Sequence, residues 1–74
     1  MSVNLKRIKG ERTAQGLTQR EMATRLGWTR GMYAKREAGF VQLGADDLAK
    51  IAEALGYDPD KIGIFFKPSV PKWD

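Results

Sequence analysis

Apolar residues recur at three- and four-residue spacing between regularly placed glycines, a pattern that predicts helices. Leu5 and Ile8 begin one stripe, and Arg12 continues it at the i+4 position, in a segment from about Asn4 to Gln15. Gly10 weakens that helix by roughly 1 kcal/mol relative to Ala, so packing must hold it. A second segment opens at Thr18, where Glu21 completes a T-x-x-E capping box. Met22, Ala23 and Leu26 follow at helical spacing, and Gly27 stops the segment. Thr29 is the expected N-cap of a third segment, which runs to Ala38 and ends at Gly39. A fourth runs from Ala45 to Leu55, with Asp46 and Asp47 at the positive end of its dipole and Leu48, Ile51, Ala52 and Leu55 as its buried stripe. Asp58 and Pro59 predict the start of a short fifth helix, through Ile62 to about Phe65. Gly16, Gly27, Gly39 and Gly56 each follow a helical segment, where a left-handed residue is expected.

The expected class is therefore all-α, with one compact five-helix domain over residues 1–66 and a short extended C-terminal tail over 67–74, where Pro68 and Pro71 forbid regular helix. Apart from the Thr29 cap, only Gly27 and Trp28 separate the second and third helices. So short a connection makes them cross steeply, as in a helix-turn-helix.

Composition narrows the function. At 74 residues, 42% hydrophobic and 30% charged, the chain has room for one modest core. It contains no Cys and no His, which removes disulfides, the ordinary ligands of a zinc site and the commonest general bases and nucleophile pairs. The acidic pairs Asp46/Asp47 and Asp58/Asp60 are accounted for by helix starts, so neither an enzyme nor a metal or other cofactor is expected. No apolar run approaches membrane-spanning length and the N-terminus lacks the apolar stretch of a signal peptide, which makes the cytoplasm the expected location and a membrane an unexpected partner.

Charge changes the picture more. Residues 1–36 carry nine basic and two acidic side chains, a net +7, and residues 37–74 carry four basic and seven acidic, a net −3, which together make the chain's +4. One strongly basic half points to a polyanionic partner approached from one side.

The order Arg12…Gly16-Leu17-Thr18-Gln19…Met22-Ala23…Leu26-Gly27-Trp28-Thr29-Arg30…Tyr33…Glu37-Ala38-Gly39…Leu48…Ile51-Ala52…Leu55-Gly56 resembles the Cro/C1-type (Xre-like) helix-turn-helix family, with a lambda-repressor-like fold. The resemblance covers about residues 5 to 65, and the LTQ opening, LG turn and E-x-G ending carry it jointly. It implies a five-helix domain, usually dimeric, that binds a short two-fold site on double-stranded DNA. Two positions depart from the family pattern. Arg36 stands where an apolar residue usually precedes the glutamate, and Phe40 and Val41 stand where a polar, basic loop usually follows the glycine.

On a helical wheel with Tyr33 pointing inward, Glu37 lies about 40° away, whereas Gly31, Lys35 and Ala38 lie about 140–160° away, on the opposite side. Small residues with one central cation suit entry into a major groove. The expected base contacts are Arg30 and Lys35, with Gly31 and Ala34 allowing approach and Ala34 placed to meet a thymine methyl. Thr18 and Gln19 open the second helix, whose free amides attract phosphate. The resemblance implies that Gln19 contacts phosphate and braces Arg30. Thr29, Arg36 and Gln42 complete the expected phosphate contacts, Arg36 having folding along the core edge as its alternative. The resemblance also implies a structural salt bridge between Arg12 and Glu37, both at inward or near-inward positions.

Leu5, Ile8, Leu17, Met22, Leu26, Trp28, Tyr33, Leu48, Ile51, Leu55 and Ile62 suffice for one core. Tyr57, Ile64, Phe65 and Phe66 exceed that need and are the expected homodimer interface, unless Phe65 closes the core instead. The function expected on these grounds is a small transcriptional regulator, a repressor acting by occupancy of a two-fold operator. The alternative is a protein-interaction module, such as an antitoxin or anti-repressor, that docks through the apolar 40–41 loop and the tail.

Overall fold

The computed structural model describes residues 2–58 and 63–67. Its elements in chain order are β1 (Ser2–Val3), α1 (Leu5–Ala14), α2 (Gln19–Leu26), α3 (Arg30–Glu37), α4 (Ala45–Ala54) and β2 (Phe66–Lys67). The class is all-α, with four α-helices among the described residues. Most of the expected fifth helix, including Ile62, lies outside the described residues; residues 63–65 form a single 3₁₀ turn.

Local chemistry sets the helix ends. Asn4, Thr18 and Thr29 each accept a hydrogen bond from a backbone N–H three residues on. At α2 the Glu21 carboxylate returns the bond to the Thr18 N–H, closing the capping box. Gly44 caps α4 without a side-chain bond, and Asp46 and Asp47 lie in that helix's first turn. Gly27, at φ 74°, turns the chain out of α2 through the left-handed region, and only Trp28 and Thr29 then precede α3. Gly39, at φ 87°, does the same after α3, where an added Cβ would meet Leu5 Cδ1 at 3.2 Å. Helix α1 therefore packs closely against the end of α3, and a larger residue at Gly39 would be strained in its backbone and would press on Leu5.

The core is built from Ile8, Met22, Tyr33, Leu48, Ile51 and Phe65, all essentially inaccessible, with Leu17, Ala23, Leu43, Ala52 and Leu55 around them. Leu5, Leu26 and Trp28 are half-buried against this cluster. Leu43, in the loop before α4, is a core residue that helical periodicity does not reveal.

Phe65 requires a correction. It is fully buried inside the protomer, so its side chain is a core group and offers nothing to a second copy. Its backbone oxygen accepts the Asn4 N–H, and the adjacent β1–β2 pair aligns Ser2 with Lys67 and Val3 with Phe66. The end of the described chain is thus clamped onto its beginning. Tyr57 is half-buried and already partnered, with its ring edge-on to Phe65 at 5.7 Å and its hydroxyl donating to Glu11. Ile64 is half-buried against the core, and nothing described bears on the side chain of Phe66.

Candidate nucleic-acid interface

The inward side of α3 is held by one carboxylate. Arg12 grips Glu37 through two parallel bonds, Nε to Oε2 at 2.8 Å and Nη2 to Oε1 at 3.1 Å, and its Nη1 donates to the Leu17 carbonyl at 2.6 Å. Tyr33 donates its hydroxyl to Oε2, and Gln19 donates its amide to Oε1 at 3.1 Å. Both charged partners are buried. Burial alone would raise the Glu37 carboxyl, but the hydrogen bonds from Arg12, Tyr33 and Gln19 outweigh it and hold it below the usual carboxylate range. The same bond to Glu37 raises the Arg12 guanidinium, while burial and then Glu37 push the Tyr33 phenol upward. These contacts join the start of α2 and the last turns of α1 and α3 at one point, so the pose of α3 is fixed from behind.

Gln19 therefore has a different local role from the one expected. Its amide nitrogen braces Glu37, at the C-terminal end of α3, and not Arg30 at the N-terminal end.

Arg36 also departs from expectation. Its guanidinium lies over the Trp28 ring, 4.9 Å from the centroid, and its Nη1 donates to the Met32 carbonyl at 2.9 Å. Its Nε stands 3.7 Å from Asp47 Oδ2, an ion-pair distance without a hydrogen bond. The cation is engaged with its own protein, bracing α3 against the turn that precedes it and against the first turn of α4. An apolar residue would pack here by area alone; Arg36 packs by stacking and charge.

The outward side of α3 is exposed. Arg30, Gly31, Lys35 and Ala38 are exposed and Ala34 is half-buried. Among the described residues, neither Arg30 nor Lys35 has a side-chain hydrogen bond or ion-pair partner. Gly31 has no left-handed φ, and a Cβ there would meet nothing within 4 Å. The fold itself does not require that glycine. Thr18 and Thr29 are exposed caps whose hydroxyls already accept backbone bonds, and Gln42 is exposed in the loop between α3 and α4.

A helix-turn-helix family profile matches residues 8–62, which is most of the chain and includes both α2 and α3. The chain belongs to the Cro/C1-type helix-turn-helix family. No curated protein and no solved structure matches it. The family is one of DNA-binding transcriptional regulators. In this helix-turn-helix domain, α3 occupies the position of the recognition helix, with Gly31 and Lys35 on its outward side, Ala34 at the edge of that side and Arg30 at its exposed first turn. Among the described residues no cluster of metal-ligating side chains occurs, and no helix is long and apolar enough to cross a membrane.

Proposed function

We propose that this chain binds double-stranded DNA sequence-specifically, in the cytoplasm, as a small transcriptional repressor that occupies a short two-fold operator as a homodimer. The observation that carries this reading is the two-sidedness of α3. Its inner side is anchored through Glu37 to two other elements, and its outer side offers Lys35 beside Gly31, with Arg30 at the exposed first turn and both cations unpartnered among the described residues. Arg30 and Lys35 are suited to guanine O6 and N7, Gly31 and Ala34 to close approach, and Thr18, Gln19, Thr29 and Gln42 to the flanking phosphates. The +7 charge of residues 1–36 supplies the attraction that is independent of sequence. A two-fold dimer sets its recognition helices one DNA turn apart, about 34 Å. With Phe65 in the core, Tyr57 and Ile64, both half-buried, remain the described side chains of the proposed contact between copies.

A protein-interaction module is the second reading, because Phe40 in the loop after α3 is 84% exposed. It leaves the basic half unexplained. Selection of bound duplexes from a random pool, combined with a solution mass measurement, tests the proposal. A two-fold site is expected, with affinity falling on a log–log salt plot by about 0.9 per neutralised phosphate. Recovery of no palindromic site, or binding indifferent to salt, would refute it.

A further inference from the structure

Phe40 is the most exposed large apolar side chain among the described residues. A single exposed aromatic needs no explanation by itself; its position supplies one. Helix α3 ends in a paired motif, with the Gly39 N–H bonded to the Arg36 carbonyl at 3.1 Å and the Phe40 N–H bonded back to the Lys35 carbonyl at 2.8 Å. With Gly39 left-handed, this geometry folds the residue after the glycine back beside the third and fourth residues from the helix end. Those residues are Lys35, on the outward side of α3, and Ala34, half-buried at its edge. In many helices an apolar residue at this place closes over the helix end. Here the neighbour is an exposed lysine, and Val41, the next residue, is the half-buried one. The phenyl ring is left exposed just past the C-terminal end of α3, where the Phe40 N–H bonds the Lys35 carbonyl.

We propose that Phe40 is a DNA-contacting residue whose ring packs on an apolar part of the duplex, a thymine methyl or the carbon face of a deoxyribose, at the end of the groove that α3 enters. This inference rests on the DNA-binding reading and adds to it an uncharged contact. The surroundings favour DNA as the occupant. Lys35, whose carbonyl the Phe40 N–H bonds, and Arg30, at the exposed first turn of the same helix, have no counter-ions among the described residues, so a polyanion that also offers carbon surface fits both features at once. An apolar contact with a thymine methyl is a recognised form of base readout.

The test uses the full chain and a duplex that the wild type selects from a random pool. Phe40→Ser is expected to bind that duplex about tenfold more weakly. Its salt slope should be unchanged because no phosphate contact is lost, and so should its thermal midpoint because the ring is exposed. Phe40→Leu should recover most of the loss. Replacing each thymine by uracil then separates the two sources. If the methyl is the contact, one replacement weakens the wild type and leaves Phe40→Ser unaffected; if the sugar is the contact, no replacement distinguishes them. Wild-type affinity in Phe40→Ser overturns the inference while leaving the DNA-binding reading intact. So does a weaker affinity traced to a lower mass in solution, which would assign the ring to a second copy. If the wild type itself selects no duplex, the DNA-binding reading fails first, and this inference fails with it.

Discussion

Arg36 stacks on Trp28, with the guanidinium carbon 4.9 Å from the ring centroid, and so ties the recognition helix to the turn that leads into it. A cation over tryptophan contributes about 0.5–1 kcal/mol at an exposed site and more when desolvated, and the part-exposed ion pair with Asp47 adds at most about 1 kcal/mol. Arg36→Ala is expected to destabilise the domain by about 1–2 kcal/mol in chemical denaturation. A double-mutant cycle with Trp28→Leu should show coupling. If instead Arg36→Ala leaves stability intact and lowers the salt slope of DNA binding by about one phosphate, the bracing role is wrong.

Glu37 makes stability depend on acid. Its carboxyl lies below its ordinary value in the folded state, because the bonds from Arg12, Tyr33 and Gln19 outweigh a burial effect that would raise it. The sign follows from linkage: this stabilisation is fully present above the unfolded pKa of about 4.3 and is lost as pH falls through the lower folded value. Glu37→Gln should cost about 3–5 kcal/mol near neutrality, since it leaves the buried Arg12 guanidinium without its charge partner. The Glu37 share of the stability decline below the unfolded pKa should vanish in this variant. The carboxyl chemical shift of the wild type, followed during acid titration, reads the same group directly; an ordinary titration midpoint would contradict the geometry.

Gly31 and Gly10 form a matched pair. Both lie inside helices without a left-handed φ, and an added Cβ at either meets nothing within 4 Å. Replacement by Ala should therefore stabilise the domain by roughly 0.5–1 kcal/mol at each position. Only Gly31 lies on the outward face of α3. Gly31→Ala is expected to weaken DNA binding, and Gly10→Ala to leave it unchanged. Equal affinities for the two variants would mean that the thin face of α3 does not approach DNA.

Arg30 and Lys35 serve as the proposed base readers. Arg30→Ala should relax the preference at one position of each half-site, by roughly 1–3 kcal/mol, when the variant is tested against a panel of single-base changes. A uniform loss across the whole panel would reassign Arg30 to a phosphate.

Most of the local frame was legible from residue order. The capping box at Thr18 and Glu21, the N-cap at Thr29 and the glycines at 16, 27, 39 and 56, all of which have positive φ, depend on interactions within a few residues. The outward face of α3 was legible too, since 100° per residue places Gly31, Lys35 and Ala38 opposite Tyr33. Other features left no local trace. Leu43 sits in a loop without helical period, and a pair of two-residue strands offers no alternation to detect. Phe65 could close the core or cover a partner, because an apolar side chain carries no mark of which surface buries it.

Residue order alone locates the ends of the four described helices, the small side of α3 and the strongly basic charge of one half of the chain. Those properties are sums over neighbouring residues, so order alone contains them. Tertiary structure decided which distant groups meet: Gln19 with Glu37, Arg36 with Trp28 and Asp47, and Phe65 with the core. A long polar side chain has several partners within reach of its own helix, and only the packing of the other helices selects among them. Residue order marks Phe40 as an unusual apolar residue after α3, and the packing decides that it stays exposed while Val41 is half-buried.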